Sequence, residues 1–317
     1  MKLGATIGEL EARASTLAAK FPELLVEAHH VAQTVSHGIH GRRRSGPGET
    51  FWQFRHFEHS DAAATIDWRR SASSDHLYVR EREWEAAHSV WIWVDTSPSM
   101  GYRSHLARCS KAERAIILAL ALGDLLARGG EKVGLLGRRL WSGRRATQRL
   151  AEAIVQELTF DEPAPSGPPN VEVSRFSECV LIGDFLEPME DLAPRLERMA
   201  GQGVGGHLVQ VLDPAEETLP YEGHTQFVAS EGDEEVTTGR AESLRQRYMK
   251  RMSRHRQSLM ELAERLHWSY LVHHSDRPAE QALLALHNRL AGNENDYRYR
   301  TVSGISEFGG GKGAARS

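Results

Sequence analysis

A short segment of the sequence carries oxygen-bearing side chains at a spacing suited to metal binding. Asp95, Ser97 and Ser99 alternate in DTSPS, which places one carboxylate and two hydroxyls on a tight loop. A second carboxylate, Asp184, follows another apolar run and can join this loop directly or through water. Hard oxygen ligands of this kind suit Mg²⁺ or Mn²⁺. These four residues are therefore candidate metal ligands. The alternative left open is that Asp95 and the serines only cap a strand–helix turn.

The elements that must position these residues can be read from the apolar patterns. The run at 88–94, HSVWIWV, predicts a strand buried on both faces. The remaining pattern predicts strands at 132–136, 179–182, 207–212, 225–229 and 268–272, and helices at about 105–128, 146–158, 189–199, 242–266 and 279–290. A hairpin is also predicted through Trp141, Ser142 and Gly143.

Strands and helices alternate about five times, which predicts an α/β fold with a mostly parallel sheet and helices on both faces. Ligands of such sheets bind beyond the carboxyl ends of the strands. Asp95 and Asp184 both stand at predicted strand ends. The order of elements thus places the candidate ligands at the edge where binding is expected.

The pattern of the N-terminal sequence predicts an extension that packs on the sheet domain. Two helices, at about 5–20 and 22–33, are divided by Pro22. They fit a helix packed on the main domain better than a dimerising coiled coil. Residues 35–87 are rich in aromatic and charged residues and predict a β-containing segment. The predicted organisation is N-terminal helices at 1–34, the β-rich extension at 35–87, the α/β domain at 88–291 and a polar, disordered tail at 292–317.

Length and composition bound the class of protein. The 317 residues are 40% hydrophobic and 26% charged, with a formal net charge of -4, which suits a globular chain and gives no overall reason to expect nucleic acid. The two cysteines, Cys109 and Cys179, have no metal-type spacing and predict reduced thiols. No apolar run is long enough for a signal or a membrane span. We therefore expect a cytoplasmic protein without a direct membrane span.

Two other groups of residues are better explained without a binding site. Histidine pairs such as His29-His30 and His273-His274 lack the framework of a zinc site. The predicted helix at 242–266 carries a row of basic residues, which fits a solvated face better than a docking surface.

Several motifs together resemble the domain-of-unknown-function 58 (DUF 58) family. They are FRHFEHSDAAATIDWRRSAS, EREWE, DTSPSM and the later Ile182-Gly183-Asp184-Phe185, within residues 35–290. The resemblance implies a von Willebrand factor A-like, Rossmann-like domain with a partial metal-ion-dependent adhesion site. A complete site of that kind also uses a threonine, for which Thr147 is the candidate and Thr159 the second choice. The chain has Phe57 and Ser60 where the family usually has tyrosine and glycine.

The resemblance implies protein binding rather than a reaction. Members look like adaptors or co-chaperones that work with MoxR-type AAA+ ATPases on a client protein. An external carboxylate would complete the metal coordination, with apolar contacts near Tyr102 and Phe185. The alternative is a metal-dependent hydrolase or nuclease that uses Asp67, Asp95 and Asp184.

Overall fold

The fold is described by a computed structural model that covers residues 20–36, 53–56, 71–72, 77–81, 89–158, 166–228 and 235–290. The strands are β1 Gln53–His56, β2 Tyr78–Glu81, β3 Ser89–Val94, β4 Lys132–Leu135, β5 Leu140–Trp141, β6 Glu178–Gly183, β7 Gly205–Leu212, β8 Thr225–Val228, β9 Glu235–Thr238 and β10 Ser269–His274. The helices are α1 20–36, α2 Lys111–Arg128, α3 Ala146–Leu158, α4 Met189–Gly201, α5 Pro214–Thr218, α6 Glu242–Arg265 and α7 Ala279–Leu290.

The central sheet has six strands in the order β10-β7-β6-β3-β4-β5. All neighbouring pairs are parallel except β4 with β5. Two hairpins, β1 with β2 and β8 with β9, form separate antiparallel pairs. The prediction of a mixed α/β fold with a mostly parallel sheet is confirmed.

Helices cover both faces of the sheet because successive strand residues point to opposite sides. Ile92 joins one buried cluster, which contains apolar residues of α1, α2, α3 and α7. Its neighbour Trp93 joins a second cluster, which contains residues of α4 and α6. The continuous apolar run of β3 is therefore explained by burial on both faces.

Helix α2 begins later than predicted, at Lys111 instead of near His105. The reason is local: Ser110 and Glu113 form a capping box, in which each side chain accepts a hydrogen bond from the other's backbone N–H. The preceding loop is held elsewhere, since the N–H of Ser104 donates to Asp213 Oδ2 over 2.8 Å. The later start places Lys111 in the first turn of the helix, at the carboxyl edge of the sheet.

The predicted hairpin at 141–143 is also displaced. Trp141 lies in β5, paired with Val133 of β4, so the chain reverses before it. Gly137 in that reversal has a φ of 80°, a conformation that glycine adopts without the steric cost paid by other residues. The sequence pattern at Trp141 did not distinguish a strand from the turn beside it.

Helix α1 packs on the sheet domain. Its Phe21, Leu24, Ala28 and Val31 are buried in the same cluster as α2. Pro22 lies within the described helix, and the residues before Lys20, which would show whether the proline divides two helices, lie outside the described part of the chain. The predicted helix at 5–20, most of the β-rich extension and the tail at 292–317 lie outside the described residues, so those assignments stay predictions. No helix in the described part of the chain is long and apolar enough to cross a membrane.

Candidate metal site at the carboxyl edge of the sheet

Asp95 is fixed directly beyond the end of β3. Its backbone N–H donates to the carbonyl of Ile182 over 2.8 Å, which continues the pairing of β3 with β6. One carboxylate oxygen, Oδ1, accepts the N–H of Ser97 over 2.9 Å. The side chain is fully buried. The short turn thus holds the carboxylate against the sheet edge before the chain enters the 3₁₀ turn at Pro98–Gly101.

The two serines link Asp95's loop to the neighbouring strand end. The hydroxyl oxygens of Ser97 and Ser99 lie 3.1 Å apart. The hydroxyl of Ser99 donates to Asp184 Oδ2 over 2.7 Å. The structure therefore brings together four of the five residues proposed as ligands.

Close approach of the two strand ends depends on Gly183. A Cβ atom added at this glycine would lie 2.8 Å from Asp95 Cβ and 3.1 Å from Trp93 Cζ3, which is tighter than ordinary van der Waals contact. Any larger residue would push Asp95 away from β6. The glycine of the Gly-Asp-Phe sequence thus has a packing role at the site.

Asp184 is held by its backbone as well as by its side chain. Gln210 Nε2 donates to the Asp184 carbonyl over 2.8 Å, and the N–H of Leu186 donates to Oδ1 over 3.2 Å. The next residue, Phe185, has a φ of 50°, which is uncommon for a bulky side chain. Its carbonyl accepts a hydrogen bond from His255 Nε2 over 2.5 Å. This strained turn is maintained by its surroundings and orients the Asp184 carboxylate.

A buried ammonium group, not predicted from the sequence, lies in the same site. Lys111 is fully buried, and its Nζ donates to Asp184 Oδ2 over 2.8 Å and to Glu216 Oε1 over 2.6 Å. Burial alone would lower the pKa of Lys111, but the carboxylates of Asp184 and Glu216 outweigh it and raise the pKa above its usual value. The lysine therefore remains charged inside the site.

Glu216 belongs to the capping box of α5. Its Oε2 accepts the N–H of Asp213 over 2.9 Å, while Asp213 Oδ1 accepts the N–H of Ala215. The sequence Asp-Pro-Ala-Glu carries this capping pattern, so Glu216 could have been found from its spacing. Lys111 could not, because a lysine after an N-cap serine ordinarily predicts an exposed side chain.

The Asp95 carboxylate is buried, and one of its two oxygens has neither a hydrogen bond nor an ion pair among the described residues. Burial, and then the charge of Asp184, raises the pKa of Asp95 to about 7, although hydrogen bonding from Ser97 opposes the shift. Asp95 Oδ2 is buried and has no hydrogen-bond partner among the described residues. A buried carboxylate oxygen of this kind is costly unless a proton or a cation satisfies it.

Thr147 is not brought to the site. Its Oγ1 lies 3.5 Å from Asp124 Oδ1, where α3 packs on the last third of α2. Asp124 follows Lys111 by thirteen residues in the same helix, a separation of about 20 Å at 1.5 Å per residue. The prediction failed here because the start of α3 gave no signal of its position in space. Thr159 and Asp67 lie outside the described residues.

The donor set fits a hard divalent cation better than zinc. Asp95, Ser97, Ser99 and Asp184 offer carboxylate and hydroxyl oxygens, which Mg²⁺ and Mn²⁺ prefer. In the described part of the chain, no three histidine, cysteine, aspartate or glutamate side chains form a metal-binding group. Three carboxylates, of Asp95, Asp184 and Glu216, share the single ammonium of Lys111. Added positive charge would therefore be stabilised at Asp95 Oδ2.

The surface beside the site differs from the one predicted. Phe185 is fully buried and contacts the Trp93 ring at a centroid distance of 6.0 Å, so it cannot contribute to a binding surface. Tyr102 remains at the surface, and its hydroxyl is hydrogen-bonded to that of Tyr221. Tyr221 in turn contacts Phe227 of the β8–β9 hairpin edge-on, at 5.6 Å. An aromatic row thus connects the Ser97–Ser99 loop to this hairpin.

Fold and site together define a mixed α/β protein with an acidic, lysine-containing cluster at the carboxyl edge of its sheet. Residues 53–258 match the family model described as protein of unknown function DUF58. The chain therefore belongs to the DUF58 family.

The relatives that the chain matches in sequence are uncharacterized proteins, so they assign it no activity. It is 26% identical over 218 residues to the uncharacterized protein Rv1480 of Mycobacterium tuberculosis, covering 64% of this chain and 68% of the relative. The same values hold for the uncharacterized protein Mb1516 of Mycobacterium bovis. Among solved structures, the conserved hypothetical protein BatB of Bacteroides thetaiotaomicron is 18% identical with a TM-score of 0.38, over 65% of this chain and 100% of that chain. An aerotolerance-related membrane protein of Bacteroides fragilis is also 18% identical, with a TM-score of 0.39, over 65% of this chain and 100% of that chain.

Proposed function

We propose that this chain is a protein-binding adaptor or co-chaperone whose docking point is a Mg²⁺ or Mn²⁺ ion at the carboxyl edge of the sheet. The observation that carries the proposal is the buried Asp95 Oδ2, which lacks a partner among the described residues and stands beside Ser97, Ser99 and Asp184. On this proposal the domain is von Willebrand factor A-like, and these residues form a partial metal-ion-dependent adhesion site.

Each residue has a distinct part in holding the ion. Asp95, Ser97 and Ser99 would supply direct oxygen ligands, and Asp184 would bind directly or through water. Lys111 Nζ donates a hydrogen bond to Asp184 Oδ2, so the ammonium group would compete with the ion for that oxygen. A bound ion would supply positive charge that attracts a carboxylate of a partner protein. The chain's own residues would fix the position of the ion, and the buried Asp95 would shield it from water on one side.

The partner we propose is a MoxR-type AAA+ ATPase, acting with the chain on a client protein. This part of the proposal comes from the family resemblance of the sequence motifs. Exposed apolar side chains beside the site, those of Leu106 and Leu186, are suited to contact a partner around the metal. The free thiols of Cys109 and Cys179 support a reducing compartment, and we propose the cytoplasm.

The hydrolase or nuclease alternative has no comparable support. The sequence combined Asp67 with Asp95 and Asp184 in that alternative, and Asp67 lies outside the described residues. Among the described residues, no histidine hydrogen-bonds to Ser97 or Ser99, and the hydroxyl of Ser99 is already directed at Asp184. A base is needed to activate a serine nucleophile. We therefore keep protein binding as the proposed function.

The test is affinity capture from the source cell, with captured proteins identified by mass spectrometry. Wild-type protein in Mg²⁺, wild-type protein in EDTA, and Asp95→Asn in Mg²⁺ are compared. We expect a MoxR-type ATPase with the first sample alone. The matched control is Asp276→Asn, which changes an exposed aspartate after β10 at the same sheet edge. Retention of the ATPase in all samples would reject the metal as the docking point.

A further inference from the structure

The outward face of α6 carries a continuous basic stripe. Its members are spaced three and four residues apart, so they lie on one side of the helix. They are Arg247, Lys250, Arg251 and Arg254, all exposed. No ion pair between described residues involves any of the four, whereas the inward-facing Arg245 and Arg256 lie against Glu222 and Glu217.

Most of this part of α6 lies outside the core of the domain. From Glu242 to Ser258, Met252 alone is buried, whereas Leu259, Leu262 and Ala263 join the core cluster. The N-terminal part is attached to the carboxyl edge of the sheet instead. Arg245 donates to the carbonyls of Leu219 and Tyr221. The basic stripe is therefore displayed at the same edge of the sheet as the candidate metal site.

The stripe is unfavourable for the isolated helix. Like charges at three- and four-residue spacings repel each other and destabilise a helix. On this stripe no acidic residue interrupts the basic ones between Arg247 and Arg254, and none of the described carboxylates pairs with them. An external anion would remove the repulsion without any change in the fold.

We infer that the stripe is a docking surface for an acidic segment of a partner protein. Four positive groups within eight residues of helix span about 10 Å, which matches a helix that carries glutamates or aspartates at the same spacing. The inference rests on the proposed function only in that the bound partner is a protein. It does not require the metal.

Other anionic partners fit the surface less well. Membrane-binding helices expose a continuous apolar face to the bilayer. In α6, Met252 and Leu259 are buried, and the exposed Met249 and Met260 lie about three turns apart, so they do not form such a face. Single-stranded nucleic acid needs aromatic side chains beside the basic ones. The aromatic residue of α6, Tyr248, is only partly exposed and lies off the stripe. An acidic protein segment is therefore the occupant that the stripe favours.

The test is binding of a fluorescein-labelled peptide of about 14 residues, roughly two heptads, with glutamates at three- and four-residue spacings. Fluorescence anisotropy is measured with the full chain in EDTA, so that the metal site plays no part. We expect binding that weakens strongly when NaCl rises from about 0.01 M to about 0.1 M, since the Debye length falls from about 30 to about 10 Å. A matched peptide with glutamine in place of glutamate should not bind.

The decisive variant replaces all four stripe residues by glutamine, which keeps a good helix former at each position. We expect at least about a tenfold loss of affinity for the glutamate peptide, or about 1.4 kcal/mol, with unchanged helical content by circular dichroism. The control replaces another four exposed arginines, Arg139, Arg144, Arg145 and Arg149, and should bind as wild type.

Three results would overturn the inference. The first is equal loss of affinity in the stripe variant and the arginine control. The second is equal binding of the glutamate and glutamine peptides. The third is tighter binding of phosphatidylserine vesicles or of a single-stranded oligonucleotide than of the glutamate peptide. None of these results depends on Asp95, so failure of the metal proposal and failure of this inference are distinguishable.

Discussion

Lys111 Nζ lies 2.8 Å from Asp184 Oδ2, and both side chains are shielded from solvent. The same ammonium bonds Glu216 over 2.6 Å. Charge pairs in such places are not strong stabilisers in themselves, but removal of one member leaves the other charge buried and unpaired. Lys111 is therefore both a structural link between β6 and α5 and a competitor for any metal at the strand end.

Replacement of Lys111 by methionine should expose both roles. Without metal we expect a loss of about 3–5 kcal/mol in the free energy of unfolding, because Asp184 and Glu216 lose their shared cation. Millimolar Mg²⁺ should raise the Tm of Lys111→Met more than that of wild type, since Asp184 Oδ2 is then open to the ion. Thermal unfolding with and without Mg²⁺ measures both. Lys132→Met, at an exposed position, is the control, and a smaller Mg²⁺ response in Lys111→Met than in wild type would contradict competition.

The ligand assignment can be tested by comparing two hydroxyl deletions. Ser99→Ala should reduce or abolish a Mg²⁺-dependent rise in Tm, because Ser99 lies between Ser97 and Asp184. Thr147→Val should leave that rise unchanged, because its hydroxyl lies near Asp124 at the far part of α2. Isothermal titration with Mg²⁺ and Mn²⁺ gives the affinities. An equal effect of the two substitutions would place the metal elsewhere.

Gly183→Ala should separate the two strand ends. The added Cβ would lie 2.8 Å from Asp95 Cβ, and overpacking of this kind costs about 1–3 kcal/mol. We expect a lower free energy of unfolding by urea together with a weaker Mg²⁺ response. Gly239→Ala is the matched control, because a Cβ at that glycine meets no atom within 4 Å. Wild-type Mg²⁺ affinity in Gly183→Ala would show that Asp95 is not held as tightly as the contact implies.

The buried His273 predicts a loss of stability in acid. Burial, with Arg114 nearby, lowers the pKa of His273 to about 3 from its usual value of 6.5. The unfolded chain therefore binds a proton that the folded chain rejects. The stability is present above pH 6.5 and is lost as the pH falls towards 3, by up to several kcal/mol.

Urea unfolding at several pH values between 4 and 8 measures this effect. His273→Gln, which does not titrate, should flatten the pH dependence of the free energy of unfolding. His224→Gln, at an exposed position, should not. An undiminished pH dependence in His273→Gln would assign the acid sensitivity to other groups.

The N-terminal helix should contribute strongly to the stability of the sheet domain. Leu24 of α1 is buried in the cluster that contains α2, whereas Val26 in the same helix is 71% exposed. Leu24→Ala should cost about 2–5 kcal/mol, and Val26→Ala less than about 0.5 kcal/mol. Chemical unfolding of the full chain compares the two. Equal small effects would mean that α1 is not part of the cooperative unit.

The fold followed from the sequence where the signals were local. The boundaries of α3 and α7 matched their predictions, because apolar periodicity marks a helix without knowledge of its neighbours. Strand β3 was evident for a similar reason, as a short continuous apolar run. Errors arose where a competing local contact decided, as at Ser110, whose capping box begins α2 six residues after the predicted start.

The sequence by itself determined that Asp95, Ser97 and Ser99 follow a buried strand, and that Asp184 follows another. The carboxyl ends of parallel strands lie at one edge of the sheet, so these residues were expected to lie near each other. Only the tertiary structure decided which distant side chains reach that edge. It brought Lys111 and Glu216 into the site and placed Thr147 beside Asp124, in the last third of α2. The reason is that burial and charge pairing depend on how the helices pack across the sheet. The spacing of residues along one helix does not determine that packing.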